Sequence, residues 1–227
     1  AELVKVAEAN PISGTTGISH TRWATHGEPS SINSHPHNSA GVSVVHNGII
    51  ENHNELRQEM ISAGYSILSA TDTEVVAHLV HYYLQKDQNL RSAVEKTISR
   101  LEGAYALGVI AEDFPDTIVA ARSGSPLVIG VGIDEHFIAS DQMALRQVTD
   151  RFIFLEEGDL VELTSSSYSI FDQSGTQVER PIDKLDEADQ VAEKGQYRHF
   201  MQKEIFEQPQ AIRDTLESRI TKDRVVI

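Results

Sequence analysis

An α+β domain, two sheets covered by helices, is the fold class this sequence predicts, and three observations predict it. Between residues 52 and 101 the apolar residues recur with helical spacing. From Gly103 onward, short apolar runs alternate with Gly, Pro and Asp turns, which reads as a series of strands. The chain has 227 residues, 40% hydrophobic and 23% charged, enough for one sizeable core or a large domain plus a tail. Clustered strands with interspersed helices settle into layers, because each element must bury one apolar face.

Taken in order, Ala1 to Ala9 reads as a helix with no start signal before it, which suggests a fragment. Asn10 to Gly17 is turn-rich, Ile18 to Trp23 reads as a strand, and Ser30 to Ala40 as a polar loop. Val42 to His46 is a short strand. Asn52 and Glu55 are spaced as a capping box for a helix that buries Leu56 and Met60 and ends at Gly64. Tyr65 to Ser69 alternates as a strand. Thr71 and Glu74 form a second capping box, before a helix with Val75, Val76, Leu79, Val80 and Tyr83 on one broad face. A third helix runs from about Leu90 to Leu101 on a stripe of Val94, Ile98 and Leu101. Strands are predicted at Ala104–Ala111, Thr117–Ala121, Leu127–Val131, Phe137–Ser140, Arg151–Leu155, Asp159–Leu163 and Ser167–Phe171, with Gln177 to Arg180 able to pair with the last. Pro181 to Gly195 reads as an acidic loop. Tyr197 to Glu207 reads as a helix broken at Pro209, with Ile212 and Leu216 as a final stripe. The predicted division is 1–195 for the layered domain and 196–227 for a helical C-terminal segment.

Composition narrows function. A formal net charge of −15 argues against a general nucleic-acid binder, which needs clustered Lys and Arg. No apolar run approaches the length that spans a bilayer and no signal-peptide pattern opens the chain, so the expected location is cytoplasmic. With no cysteine there is no disulfide, thiolate metal site or cysteine nucleophile within these residues.

Three dense segments carry the chemistry. The run His20-Thr21-Arg22-Trp23-Ala24-Thr25-His26-Gly27 has no amphipathic period. Arg22 offers a planar fork suited to a carboxylate, and Thr25 adds a hydroxyl; the plainer reading is a surface ion pair for Arg22 and a packed indole for Trp23. In the second segment, Asn47 carries a side-chain amide donor and Gly48 an unobstructed backbone N–H, a pair able to hold an oxyanion. Alone, Asn-Gly is more simply a hairpin turn. In the third, Asp72 starts a helix, where a carboxylate is favoured by the helix dipole anyway, but it can also accept a substrate ammonium. His20, His26, His35, His37 and His46 raise a metal hypothesis, weakened by the absence of an HExxH spacing, of thiolates and of an evident carboxylate partner. Ser123-Gly124-Ser125-Pro126 lacks the strand–turn–helix setting of a serine nucleophile, and no glycine-rich phosphate or dinucleotide pattern appears.

In this order the segments closely resemble the glutaminase domain of the glutamine–fructose-6-phosphate aminotransferases, also called glucosamine-6-phosphate synthases, from about Gly17 to the C-terminus. Residues His20 to Ser30, His46 to Asn52, Thr71 to Glu74, Ala121 to Leu127, Ala139 to Asp141 and Tyr197 to Pro209 carry the resemblance. The first block and Gln202 to Pro209 are the most specific; the latter separates this family from amidotransferases that feed ammonia to phosphoribosyl pyrophosphate or aspartate.

The resemblance implies an αββα sandwich of the N-terminal-nucleophile, class II glutamine amidotransferase type. It implies that Arg22 holds the glutamine α-carboxylate, that Trp23 belongs to a loop over the site, that Thr25 and His26 line the substrate, that Asn47 and Gly48 form the oxyanion hole and that Asp72 binds the α-ammonium. No cofactor or metal is implied. The implied partners are L-glutamine and sugar-isomerase domains of the same full-length protein, a homodimer when intact, with ammonia passed on to convert fructose 6-phosphate to glucosamine 6-phosphate.

The family nucleophile is an N-terminal cysteine followed by Gly-Ile-Val, whereas here Ala1 is followed by Glu-Leu-Val-Lys. The expectation is a fragment without the first strand, an adjoining helix and a further site arginine, inactive and weakly stable on its own. Two rivals stand beside it: another class II amidotransferase with a different ammonia acceptor, and a non-catalytic amino-acid-binding domain.

Overall fold

Alternation builds the centre of the molecule. Along residues 104–111 every second side chain (Tyr105, Leu107, Val109 and Ala111) joins a core shared with helices, while Ala106 faces a second sheet. A strand buried on both faces has to be apolar throughout, which explains why this stretch reads as a nearly continuous hydrophobic run.

The computed structural model describes residues 2–9, 13–23, 25–184, 197–217, 220–221 and 224–225. It divides into two compact units, Ala1–Leu185 and Asp186–Ile227. The first begins with helix α1 (Glu2–Ala9), followed after a long irregular stretch by strands β1 (His37–Ser39) and β2 (Val42–Ile50). Helices α2 (His53–Ser62), α3 (Thr73–Asp87) and α4 (Leu90–Ile98) come next. Strands β3 (Gly103–Ala111), β4 (Phe114–Ser123), β5 (Val128–Val131), β6 (His136–Ala139), β7 (Arg151–Phe154), β8 (Leu160–Leu163), β9 (Tyr168–Phe171), β10 (Gln177–Val178) and β11 (Asp183–Lys184) complete it. An antiparallel seven-stranded sheet has the order β1-β2-β3-β4-β8-β9-β10, and a four-stranded sheet the order β11-β7-β5-β6.

The layers follow from what each face buries. Leu56 and Met60 of α2, Val75, Val76, Leu79 and Val80 of α3 and Val94 of α4 pack on one face of the large sheet. Its other face, through Ala120, Val161 and Ile170, meets Ile129 and Ile153 of the small sheet. Val128 and Phe152, pointing the opposite way along β5 and β7, are covered by Leu145 just after a 3-10 turn at Gln142–Ala144. The order is therefore helix, sheet, sheet, with that short turn on the outer side. Among the described residues no helix is long and apolar enough to cross a membrane. In the second unit α5 (Phe200–Glu217) precedes β12 (Ile220–Thr221) and β13 (Arg224–Val225), and Tyr197 stacks on Phe206.

Several local expectations are corrected. Ile18 to Trp23 forms no strand: the Arg22 N–H turns back to His20 Nδ1 at 2.8 Å and Arg22 takes φ +50°, which takes that amide out of any ladder. Tyr65 to Ser69 forms none either, because the Leu68 and Ser69 amides donate to the Glu74 carboxylate. The polar loop 30–40 contains β1. Asn47-Gly48 is not a turn but lies within β2, opposite Ala106 and Tyr105. Asn52 precedes α2 without capping it, since its side chain spans to Arg100 O at 2.8 Å and Glu102 N at 3.1 Å. The Thr71 hydroxyl does accept the Glu74 N–H, at 3.3 Å. Helix α5 runs through Pro209, whose fixed φ suits a helix and which forfeits one backbone bond. Ile212 on it is exposed. Of the loop expected at 181–195, Asp183–Lys184 pairs with β7 and residues 185–195 lie outside the described residues.

Candidate functional site

The Arg22 segment folds on its own arginine. The guanidinium donates to the carbonyls of His26 (2.7 Å), Gly27 (3.1 Å) and Glu28 (3.1 Å), closing a loop around the side chain. These bonds leave the Nε–H and part of the Nη1 group uncommitted among the described residues. Gly27 sits at φ +72°, and a Cβ there would meet the Asn33 amide at 2.7 Å, so the loop needs glycine at its tightest approach. Asn33 clamps it from below, donating to Glu28 O at 3.0 Å and accepting from Ala70 N at 2.9 Å, which seats the loop beside the start of α3. Trp23 is 89% exposed, so the packed-indole reading does not hold.

Strand β2 supplies the second wall. Past its pairing with β1, its amides on the side away from β3 are taken by side chains: His46 N–H donates to His35 Nδ1 at 3.3 Å and Ile50 N–H to Asp72 Oδ2 at 2.9 Å. Antiparallel alternation puts the Gly48 N–H between them on the same side. Gly48 has φ +128°, and a Cβ there would run into the Ala104 carbonyl oxygen. Asn47 Oδ1 lies 2.7 Å from His20 Nε2, and Asn47 Nδ2 has no partner among the described residues.

Asp72 immediately precedes α3 but does not cap it. Its carboxylate is buried, with the Ile50 N–H as its close donor; His26 Nδ1 and His46 Nδ1 stand 3.8 Å and 3.9 Å away. His46 is held below the ordinary histidine pKa, chiefly by burial, which outweighs the pull of Asp72. Burial, reinforced by His20, His37 and His46, drives His35 down to about 3. His46 thus leans to the neutral form beside Asp72, and a buried anion without a charged partner is costly unless a cation completes it.

Arg22, Trp23, Thr25, His26, Asn47, Gly48 and Asp72 all line one cavity of about 280 Å³. The sequence singled out each of these positions, and the fold brings all of them together. Guanidinium, amide donors and carboxylate around a space of this size match the ends and middle of one small amino acid. Thr73 and the structural partners His20, His35 and Asn33 carry no local sequence signal of these roles; the histidines' clustering points by itself only to metal ligation. Among the described residues no three His, Asp or Glu side chains converge to hold a metal ion. A larger cavity of about 380 Å³, between Leu84 and Phe114, contains none of the seven.

A family model described as a glutamine amidotransferase domain matches residues 20–147. The glutamine–fructose-6-phosphate aminotransferase (isomerizing) of Vibrio vulnificus strain CMCP6 is 55% identical over 225 residues, covering 99% of this chain and 37% of that protein. The enzyme of the same name from Escherichia coli K12 is 55% identical over 223 residues, covering 98% and 37%, and that of Pseudomonas putida KT2440 is 53% identical over 228, covering 100% and 37%. The chain therefore spans about 37% of the length of the curated relatives it matches. Among solved structures, glutamine phosphoribosylpyrophosphate amidotransferase from B. subtilis, complexed with ADP and GMP, aligns with a TM-score of 0.52 at 24% identity, over 73% of this chain and 34% of that one. That likeness carries the fold, the N-terminal-nucleophile sandwich of class II amidotransferases. The chain belongs to the glutamine amidotransferase domain family.

Proposed function

We propose that the cavity binds L-glutamine and that residues 1–195 act as the glutamine-hydrolysing part of a glutamine–fructose-6-phosphate aminotransferase, with 196–227 leading towards sugar-isomerase domains. The carrying observation is the convergence of Arg22, Asn47, Gly48 and Asp72 on one cavity. In this reading the Arg22 loop receives the α-carboxylate, Asp72 the α-ammonium, and the Asn47 amide with the Gly48 N–H the side-chain carbonyl oxygen. Trp23, Thr25 and His26 border the substrate. The two donors stabilise the oxygen as it becomes an oxyanion, an effect worth about a hundred- to a thousand-fold in rate per donor.

The nucleophile of that reaction is a thiolate supplied from outside these residues, which hold no cysteine. Its attack on the amide carbon forms a thioester and breaks the C–N bond, the proton given up by the thiol passing to the leaving nitrogen, which departs as ammonia; water then frees glutamate from the thioester. The ammonia would serve the conversion of fructose 6-phosphate to glucosamine 6-phosphate in the cytoplasm, in a homodimer. The extent and identity of the match to enzymes of that name support this acceptor over others. The 227 residues alone are expected to hydrolyse no glutamine.

Titration of the ¹⁵N-labelled chain tests the reading. L-Glutamine should shift the amides of Asn47, Gly48 and Asp72, whereas glutaramate, which lacks the α-ammonium, should bind at least about tenfold more weakly. Equal binding of the two compounds, or shifts confined to other surfaces, would overturn it.

A further inference from the structure

Asn47 is useful to a carbonyl oxygen only if its NH₂, and not its Oδ1, faces the cavity. Nothing in the side chain itself settles this, because amide oxygen and nitrogen are nearly isosteric. The surroundings do. The Arg22 backbone N–H lies 2.8 Å from His20 Nδ1, and a backbone N–H can only donate. Nδ1 is therefore the bare, accepting nitrogen, and in the neutral ring the proton sits on Nε2. Nε2 lies 2.7 Å from Asn47 Oδ1, so the ring donates there and Nδ2 is the atom left over.

The ring cannot easily turn away. It lies against the His35 ring, with centroids 4.5 Å apart and planes 30° from parallel, and His35 is itself tied by the His46 N–H to its Nδ1. A directional chain thus runs from the Arg22 amide through His20 to Asn47, joining the loop that borders one end of the cavity to the donor at its middle.

We propose that His20 is a positioning residue that sets the rotamer of the Asn47 amide: the Arg22 N–H selects the Nε2–H tautomer of His20, and that tautomer turns Asn47 Nδ2 into the glutamine cavity. The inference rests on the glutamine reading only for the ligand; the tautomer and the amide orientation are properties of the chain itself. Opening of the Arg22 loop and loss of the Asn47 donor become linked, because one ring serves both.

Two conservative variants separate this role from simple support of the loop. His20→Gln keeps a donor near the Nε2 position and loses the acceptor for Arg22; His20→Asn keeps an acceptor near the Nδ1 position and cannot reach Asn47. L-Glutamine affinity should be largely retained in His20→Gln and fall about tenfold in His20→Asn. The reverse order, or equal losses, would overturn the proposal. In parallel, long-range ¹H–¹⁵N spectra of the unsubstituted chain should show His20 protonated on Nε2 and bare on Nδ1. The opposite tautomer sinks the proposal even if both variants fail to fold. If the unsubstituted chain binds no L-glutamine, the functional reading fails, and the spectrum alone still decides the tautomer.

Discussion

Asp72 is the residue whose surroundings are most telling. A buried carboxylate with one close backbone donor, from Ile50 at 2.9 Å, and with its imidazole neighbours His26 and His46 no nearer than 3.8 Å is incomplete by the ordinary economy of interiors. Asp72→Asn keeps an oxygen for the Ile50 N–H but removes the charge. Its L-glutamine affinity should fall more than about tenfold with little change in the denaturant midpoint, because hydrogen bonds to charged groups are the stronger class. Asp72→Ala should in addition lose about 1–3 kcal/mol of unfolding free energy, since the Ile50 N–H is left without an acceptor. Equal glutamine affinity in the Asn variant would remove the ammonium role. Gly48 sets a steric limit of a different kind. At φ +128°, with the Ala104 carbonyl where a Cβ would go, Gly48→Ala must move β2 or β3. We expect a loss of at least about 2 kcal/mol in urea unfolding, together with loss of glutamine binding.

At the scale of elements, α3 is positioned by a carboxylate that the local pattern assigned to a different task. Glu74 was expected to reach back to Thr71 in a capping box; instead it accepts from Leu68 N (2.8 Å), Ser69 N (2.7 Å) and Ser69 Oγ (2.7 Å), pinning the segment that carries Asp72. Burial raises its pKa, but those donors and His78 outweigh it, so the net displacement is downward. The folded form therefore holds the anion more tightly than the unfolded chain, and the stabilisation is present above the unfolded pKa, about 4.5, and lost as pH falls through the lower folded value. Glu74→Gln should unfold more easily at pH 7, by about 1–3 kcal/mol, and differ less from the parent at pH 3; an unchanged difference across that range would refute the assignment. The same carboxylate explains why Tyr65 to Ser69 was misread: its alternation suggests a strand, but its amides find a side chain later in sequence. Asn52 tells the same story, bonding to Arg100 and Glu102 rather than to its own helix. Elements bounded by glycine, proline and aspartate turns, from β3 to β9, were legible from local turn chemistry and apolar runs, even where the partner strand is distant, as for Ile118 opposite Leu163. Asn47-Gly48 was not, because a dipeptide that favours a hairpin sits in a strand whose ladder is supplied by residues 104–106.

For the whole molecule, layering was readable from patterns that bury two faces, and the site from three contiguous segments, whereas the histidine network beneath the site was invisible, since its partners are 27 residues apart in the His20–Asn47 and His46–Thr73 pairs. That network governs the response of the fold to acid. His35, His37, His46 and His78 are all displaced below the ordinary value of 6.5, in each case first by burial. Such groups stay neutral in the fold and take up protons when it unfolds, so their contribution is fully present above about pH 6.5 and is lost as pH falls, for His35 down to about 3. The net charge of −15 acts the other way, because protonation relieves repulsion. Repulsion between exposed charges is screened beyond about 8 Å at physiological salt, so the local desolvation should dominate. The unfolding midpoint should therefore begin to drop just below pH 6.5, well above the carboxylate range. His35→Asn, which keeps an acceptor for the His46 N–H, should flatten that descent while leaving the carboxylate-linked loss below about pH 4.5 in place. Urea unfolding from pH 7.5 to 4 measures both limbs, and a parent curve that stays level down to pH 5 would show that the buried imidazoles carry no such load.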